Sequence, residues 1–234
     1  MKDRTSLLIL LRHGESEWNR RNLFTGRVDV PLSRQGIDEA FEAGRKFSAI
    51  PLDVIFTSTL IRSKLTAMIA MSVHAGGRVP ICLPSGEEAS PFAEAIPVIA
   101  SEALDERMYG DLQGLNKDEA AKRFGPEQIR LWRRSYAVAP PGGESLKMTK
   151  ERALPYFRSR IVPRLERGEN VFVSAHGNSL RAIVMFLENL SEEEILCLEI
   201  PTGVPRCYRL RQERGGGVWQ PEELDLVRRQ CGER

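Results

Sequence analysis

The stretch that decides the fold is Leu7-Leu8-Ile9-Leu10-Leu11-Arg12-His13-Gly14-Glu15-Ser16-Glu17-Trp18-Asn19. Its five consecutive apolar residues are typical of a β-strand that is buried on both faces, as in a parallel sheet covered by helices. Gly14 lets the chain turn sharply after His13. Because ligands bind at the carboxyl ends of the strands in open α/β sheets, Arg12 and His13 are candidate site residues.

A second histidine follows a buried strand far downstream. Residues 170–175 read Asn-Val-Phe-Val-Ser-Ala and lead into His176-Gly177. One histidine at a strand end is more often a packed structural residue than a catalyst. The chain has only three histidines, however, and two of them share this strand–His–Gly setting. The repetition predicts that His13 and His176 face one cleft as a functional pair.

Length and composition indicate a single α/β domain. A chain of 234 residues can bury an ample core in one domain, and we expect that domain to span residues 1–234 with a flexible tail from about residue 213. The formal net charge is only +2, which argues against nucleic acid or a membrane surface as a partner.

Cysteine use and the N-terminus predict a cytoplasmic protein. The four cysteines form no Cys-x-x-Cys pair and no dense framework, which favours reduced thiols; they are Cys82, Cys197, Cys207 and Cys231. The first strand begins within a few residues of Met1, which leaves no room for a signal peptide. No apolar run approaches membrane-spanning length.

Helix and strand signals alternate after the first histidine. Ser33 is the predicted N-cap of a helix that ends before Pro51. Residues 53–58 predict a second buried strand, and a helix then opens near Thr59. Arg62 falls in the first turn of that helix, where free N–H groups and the helix dipole favour anions. We therefore expect Arg62 to bind phosphate rather than to be a solvated surface arginine.

The rest of the chain completes the alternating pattern. Glycines and prolines predict a surface loop over residues 75–97. The apolar residues 98–100 predict a strand, and a polar segment over residues 105–114 follows it as a site loop. A helix pattern over residues 146–165 contains two prolines that predict a kink, and residues 204–210 predict a last strand. The expected fold is a three-layer α/β/α arrangement with a mostly parallel central sheet.

These residue types suit phosphoryl transfer. A neutral imidazole can take a phosphoryl group as phosphohistidine, and the planar fork of arginine binds two phosphate oxygens at once. A carboxyl group must also move a proton, and four candidates qualify by position: Glu15, Asp105, Glu106 and Asp111. A metal centre on the two histidines is disfavoured, because no cysteine-rich or carboxylate spacing completes a coordination shell.

The sequence also resembles a known family. Residues 10–19, Leu-Leu-Arg-His-Gly-Glu-Ser-Glu-Trp-Asn, resemble the signature of the histidine phosphatase (phosphoglycerate mutase-like) superfamily. Residues 22–33 are similar, more narrowly, to the cofactor-dependent phosphoglycerate mutase family. Further matching blocks extend the resemblance over nearly the whole chain through Leu210; they are residues 106–117, 132–134 and 200–205.

The resemblance implies interconversion of 3-phosphoglycerate and 2-phosphoglycerate, primed by 2,3-bisphosphoglycerate and without a metal. It implies that His13 is the phospho-acceptor, Glu106 the proton donor and acceptor, and His176 the stabiliser of the transition state. Arg12 and Arg62 would assist catalysis. The substrate contacts that it implies come from Arg12, Ser16, Asn19, Thr25, Gly26, Arg62, Glu106, Tyr109, Lys117, Arg133, Arg134, Gly177 and Asn178.

The chain departs from the family pattern in four places. Met108 stands where the family commonly has histidine. The segment between Arg134 and Glu144 is shorter than in the longer mutases. The segment of residues 75–97 is longer than usual for the family, and the C-terminal tail is atypical. These changes fall on the lid and on the subunit surface, so both a homodimer and a homotetramer stay open.

Two other functions use the same residues. In a phosphomonoester phosphatase of the same superfamily, water would take the phosphoryl group from His13. A non-catalytic sensor of phosphorylated ligands is disfavoured, because a pure binder needs no proton-transfer group such as Glu106.

A mutase must also hold a second anionic group, for which Lys117, Arg133 and Arg134 are the candidates.

Overall fold

A computed structural model describes residues 5–84, 86–87, 89–211 and 220–226. Within these residues the strands form one sheet of seven in the order β3-β4-β2-β5-β1-β6-β7. The strands are β1 (Thr5–Arg12), β2 (Val54–Thr57), β3 (Val79–Cys82), β4 (Ala95–Ala100), β5 (Val171–Ala175), β6 (Pro205–Arg211) and β7 (Gln220–Leu224). The pairs from β3 to β1 are parallel, whereas β6 and β7 are antiparallel to their neighbours.

The register of the two central strands places the histidines together. Strands β1 and β5 are adjacent and parallel, and Arg12 is the register partner of Ala175. His13 and His176 follow these two residues directly, so both histidines lie next to each other at the carboxyl ends of their strands.

Helices cover both faces of the sheet, as the sequence predicts. The helices are α1 (Glu17–Arg20), α2 (Arg34–Phe47), α3 (Ile61–Met71), α4 (Lys117–Phe124), α5 (Pro126–Arg134), α6 (Leu146–Tyr156), α7 (Val162–Glu166), α8 (Gly177–Leu187) and α9 (Glu192–Cys197). Helices α2 and α3 pack on one face, and α7 and α8 pack on the other. No helix in the described part of the chain is long and apolar enough to cross a membrane.

Strand β1 is buried on both faces, which confirms the prediction made from its apolar run. Leu8 and Leu10 pack toward α7 and α8, whereas Ile9 and Leu11 pack toward α2 and α3. All four side chains are almost fully buried. Each contributes on the order of 1.5–3 kcal/mol relative to an exposed side chain, so the strand that carries His13 is anchored from both sides.

The predicted helix boundaries are largely confirmed. The Ser33 hydroxyl accepts from Gly36 N–H and caps α2, as predicted. At the start of α4 the Asn116 side chain accepts from two N–H groups. Pro155 lies inside α6, and a π-helical segment, Phe157–Ile161, follows before α7 begins. The predicted interruption of this helix is therefore present.

Residues 75–97 differ from the predicted loop. Residues 79–82 form β3, which pairs in parallel with β4, and β4 already begins at Ala95. Strand β3 lies at the sheet edge, and Val79 is 67% exposed. The sequence of β3 is Val-Pro-Ile-Cys, and a proline within so short a run counts against a strand prediction, because proline cannot donate to the ladder and is confined to edges.

The prediction of a tail after about residue 213 is wrong for residues 220–224. They form β7, which pairs with β6 and adds ion pairs from Arg206 to Glu223 and from Arg209 to Glu222. Residues 212–219 and 227–234, which include Cys231, lie outside the described residues. Among the described cysteines, Cys82 and Cys197 are exposed and Cys207 is buried.

Candidate active site

A pocket opens at the carboxyl ends of the parallel strands, where the sequence places the site. Its lining consists of Arg12, His13, Asn19, Leu23, Phe24, Thr25, Gly26, Arg62, Glu106, Tyr109, Lys117, Arg133, Arg134, Gly177, Asn178, Arg181, Glu199 and Ile200. Two of the predicted site residues, Ser16 and His176, are absent from this lining. Ser16 is fully buried, and its hydroxyl accepts from Asn19 N–H and donates to Asn19 Oδ1 at 2.9 Å, so it positions a lining residue.

The two histidines lie side by side, as predicted. Their ring centroids are 4.9 Å apart, and the rings are tilted by 58°. His13 Nδ1 lies 2.7 Å from the carbonyl oxygen of Gly14. Because a carbonyl oxygen only accepts, Nδ1 carries the hydrogen, and His13 Nε2 keeps its lone pair. A side chain at Gly14 would collide with the main chain at Gly36, so the turn after His13 requires glycine.

Both imidazoles are neutral near pH 7. Burial, followed by the charges of Arg62 and Arg12, lowers the pKa of His13 well below its ordinary value of 6.5. Burial lowers the pKa of His176 in the same way, with Arg62, His13 and Arg12 adding to the effect. The arrangement therefore holds His13 in the form that can attack an electrophile.

The His176 ring contacts the Ser58 hydroxyl. Its Nε2 lies 2.7 Å from the Ser58 hydroxyl, which already accepts from Leu60 N–H. A hydroxyl oxygen has two lone pairs and one hydrogen, so Ser58 can either donate to Nε2 or accept from it. The Nδ1 atom of His176 is buried without a hydrogen-bond partner.

Arg62 is buried, not solvated. It is 1% exposed and donates to the carbonyl oxygens of Val28 and Gly26 at 2.8 and 2.7 Å. Burial lowers the pKa of Arg62 to about 10, which leaves it cationic at neutral pH. Gly26 has a φ of +58°, a left-handed conformation that suits glycine and that turns its carbonyl toward Arg62.

Several polar atoms around the pocket have no protein partner. Arg12 Nη1 donates to the Ile200 carbonyl at 2.7 Å, but its Nε is buried and unpaired. Arg62 Nε and Thr25 Oγ1 are in the same state. Because buried polar groups are nearly always hydrogen-bonded, these unpaired donors beside one pocket suit an anion with several acceptor oxygens.

Of the four candidate carboxyl groups, Glu106 is the one that lines the pocket. Its Oε1 accepts from Arg107 N–H and from the main chain and side chain of Asn178. Its Oε2 faces Gly177, where an added Cβ would come 3.7 Å from Oε2 and 3.7 Å from Arg12 Nε. The other three candidates lie elsewhere, and Asp105 is bound to Thr59 with its pKa raised by burial.

A second set of cations lines the same pocket at the start of α4 and the end of α5. Burial and the nearby Arg133 guanidinium lower the pKa of Lys117. Arg134 Nη2 contacts Glu199 Oε1 at 2.6 Å. The Tyr109 hydroxyl accepts from Arg107 Nη2 at 3.0 Å. The pocket can therefore bind a ligand with anionic groups at two places.

Some lining residues were not predicted. Ile200 lies in a block that carries the family resemblance, but Arg181 and Glu199 belong to no motif and had no signal in the sequence. Within the described residues, no group of three or more His, Cys, Asp or Glu side chains is arranged to hold a metal ion.

Comparisons with known proteins identify the family. The histidine phosphatase superfamily (branch 1) matches residues 8–81 and 86–221. A 2,3-bisphosphoglycerate-dependent phosphoglycerate mutase of Chlamydia pneumoniae is 55% identical over 218 residues, which are 89% of this chain and 96% of that protein. A protein named 2,3-bisphosphoglycerate-dependent phosphoglycerate mutase 1 from Arabidopsis thaliana is 52% identical over 94% of this chain and 70% of its own length.

Solved structures share the fold. Bacillus stearothermophilus YhfR superposes with a TM-score of 0.73 at 25% identity, over 95% of this chain and 99% of that one. A mycobacterial glucosyl-3-phosphoglycerate phosphatase gives a TM-score of 0.72 at 22% identity, over 94% and 98%. The chain belongs to the histidine phosphatase superfamily and, within it, to the phosphoglycerate mutase family.

Proposed function

We propose that this chain is a 2,3-bisphosphoglycerate-dependent phosphoglycerate mutase, which interconverts 3-phosphoglycerate and 2-phosphoglycerate through a phosphohistidine. The observation that carries the proposal is the presence of two anion-binding groups of residues in one pocket. One group surrounds His13, and the other is formed by Lys117, Arg133 and Arg134. The names of the relatives that are 52–55% identical support this function over a simple phosphatase.

His13 is the proposed nucleophile. Its Nδ1–H is held by the Gly14 carbonyl, which directs the lone pair of Nε2 to the reacting phosphorus. Its lowered pKa keeps that lone pair free at neutral pH. Nucleophilic attack by Nε2 forms the N–P bond while the P–O bond to the substrate breaks.

Arg12, Arg62 and His176 are proposed to hold the transferring phosphoryl group. The unpaired Nε–H groups of Arg12 and Arg62 fit its oxygens, and His176 Nδ1 would add a third donor in the tautomer that carries its hydrogen there. Preorganised donors stabilise the charge that spreads over these oxygens in the transition state. Asn19 and Asn178 also line this part of the pocket. When bound, 2,3-bisphosphoglycerate supplies the phosphoryl group that primes His13, and the two cationic regions suit its two phosphates.

Glu106 is proposed to move the proton of the substrate oxygen. Three N–H donors hold its Oε1, so Oε2 is the oxygen available to donate to the departing oxygen or to accept from the attacking hydroxyl. The position of Oε2 beside Gly177 and Arg12 places it next to the proposed phosphoryl site.

Location and assembly are proposed on sequence grounds alone. A cytoplasmic location agrees with the scattered cysteine positions, which form no disulfide framework in the sequence. The substrate is a small phosphorylated molecule, and either a homodimer or a homotetramer is compatible with the sequence.

The proposal is tested by incubating the purified protein with 3-phosphoglycerate, with and without 2,3-bisphosphoglycerate. We expect 2-phosphoglycerate to form, with a rate that increases strongly on priming. Release of inorganic phosphate without any isomer would instead identify a phosphatase.

A further inference from the structure

Glu199 is a carboxylate in a pocket that is otherwise rich in cations. The cationic side chains of the lining are Arg12, Arg62, Lys117, Arg133, Arg134 and Arg181. Glu106 has a role in proton transfer, but Glu199 lies with the second cationic group, beside Arg134. A negative charge at this place opposes the binding of a polyanion, so its presence calls for a function.

The main chain around Glu199 is held by two arginines of the pocket. Arg181 donates from Nε to the carbonyl oxygen of Leu198 at 2.8 Å, and its Nη2 contacts the same oxygen. Arg12 donates to the carbonyl oxygen of Ile200 at 2.7 Å. Residue 199 is thus fixed on both sides, and its carboxylate reaches Arg134 from a defined position.

The ion pair itself is open to water. The side chains of Arg134 and Glu199 are 40% and 67% exposed. Ion pairs of this kind contribute little to stability and can open at low cost. Arg134, which could bind the second anionic group of a ligand, is therefore paired reversibly with Glu199.

We propose that Glu199 is a specificity-determining residue that occupies Arg134 until the second anionic group of a bound ligand displaces it. This inference rests on the proposed function, since it assigns Arg134 to a ligand with two anionic groups. The competition lowers the affinity for such ligands and so favours their release. A ligand whose phosphate is its only anionic group, such as an aryl phosphate, does not enter this competition.

The test compares Glu199→Gln with the wild type, using 3-phosphoglycerate and p-nitrophenyl phosphate as substrates. We expect the KM for 3-phosphoglycerate to fall about two- to fivefold, the scale of a partly exposed ion pair, and the KM for the aryl phosphate to change less. In an Arg134→Gln background the same change at residue 199 should have little effect, because the two residues act as a pair. The control is Glu193→Gln on α9, an exposed glutamate outside the lining.

An unchanged or raised KM for 3-phosphoglycerate in Glu199→Gln would overturn the inference. So would an equal fall for both substrates that persists in the Arg134→Gln background, because it would reflect a general change of potential in the pocket. If the wild type forms no isomer at all, the proposed mutase function fails instead. Calorimetric titration of the same variants with 2,3-bisphosphoglycerate would then still measure whether Glu199 competes for Arg134.

Discussion

Arg152 Nη2 donates to the main-chain carbonyl oxygen of Glu106 at 3.0 Å and to that of Asp105 at 2.9 Å. The same guanidinium contacts both carboxylate oxygens of Glu144, which in turn accepts from Met108 N–H. Helix α6, which carries Arg152, lies outside the pocket. The main chain that carries Glu106 is thus held from outside the pocket by Arg152, which forms a largely buried ion pair with Glu144.

Replacing Arg152 with alanine should impair proton transfer more than phosphoryl binding. A displacement of about 1 Å in a catalytic group can cost on the order of a hundredfold in rate. We expect kcat to fall by about ten- to a hundredfold with phenyl phosphate, whose leaving group needs a proton. With p-nitrophenyl phosphate, whose leaving group does not, the loss should be smaller. Steady-state kinetics with the two substrates measures the difference.

The matched control is Arg158→Ala, because Arg158 packs over the Phe186 ring and does not contact the Glu106 segment. Partial recovery of the phenyl phosphate rate in Arg152→Lys would support a positioning role. Equal losses with both substrates would show that Arg152 only maintains the fold.

The pH dependence should reflect the neutral histidines. Both folded-state pKa values are lowered, so the unfolded chain binds more protons than the folded chain below about pH 6.5. Each histidine should therefore reduce the free energy of unfolding by up to about 1.4 kcal/mol per pH unit as the pH falls from about 6.5 toward the folded-state pKa. Above about pH 6.5 this contribution is fully present. Urea unfolding at pH 7.5 and 5.5 measures the change.

Comparison with His13→Gln isolates the contribution of one histidine, since the variant should lose less stability on acidification. For activity, kcat/KM should show no acid limb at pH 6.5 that arises from His13. Titration of the His13 ring near pH 6.5 in the folded protein, followed by NMR, would contradict the assignment.

The second cationic group should matter for isomerisation more than for simple hydrolysis. Loss of one partner from a desolvated charge-assisted contact costs about 2–5 kcal/mol, or well over tenfold in binding. We expect Lys117→Ala and Arg133→Ala to lower mutase activity far more than hydrolysis of p-nitrophenyl phosphate. Lys122→Ala, an exposed lysine of the same helix α4, is the control. Equal losses in both assays would show that the second anionic group binds elsewhere.

Cationic side chains, not a metal ion, are proposed to stabilise the charge on the transferring phosphoryl group. Activity should therefore persist when a chelator removes metal ions. We expect full turnover in EDTA and inhibition by vanadate, which mimics the five-coordinate phosphoryl group. Recovery of a lost activity on addition of Mg²⁺ or Mn²⁺ would require a different mechanism.

The central sheet and the paired histidines were predictable because their signals are local and strong. Buried parallel strands such as β1 and β5 must be apolar on both faces, and Gly14 and Gly177 mark the turns after them. The edge strands β3 and β7 each contain a proline, which counts against a strand prediction. Strand β7 reads Gln-Pro-Glu-Glu-Leu and forms because β6 offers unpaired main-chain groups and arginines for its glutamates.

The individual contacts in the pocket were only partly predictable. Arg62 was identified from its place in the first helical turn, but its burial depends on a loop that is distant in sequence. Arg181 and Glu199 come together with Arg134 only through the packing of α5, α8 and the segment after α9. No local pattern encodes such long-range contacts.

The most direct test of the account follows a labelled phosphoryl group in a single turnover. The protein is phosphorylated with labelled 2,3-bisphosphoglycerate, isolated, and mixed with excess 3-phosphoglycerate. We predict label on His13 as an acid-labile, base-stable adduct, no adduct in His13→Ala, and transfer of the label to phosphoglycerate products rather than to water. Release of most of the label as inorganic phosphate, or its attachment to another residue, would contradict the account.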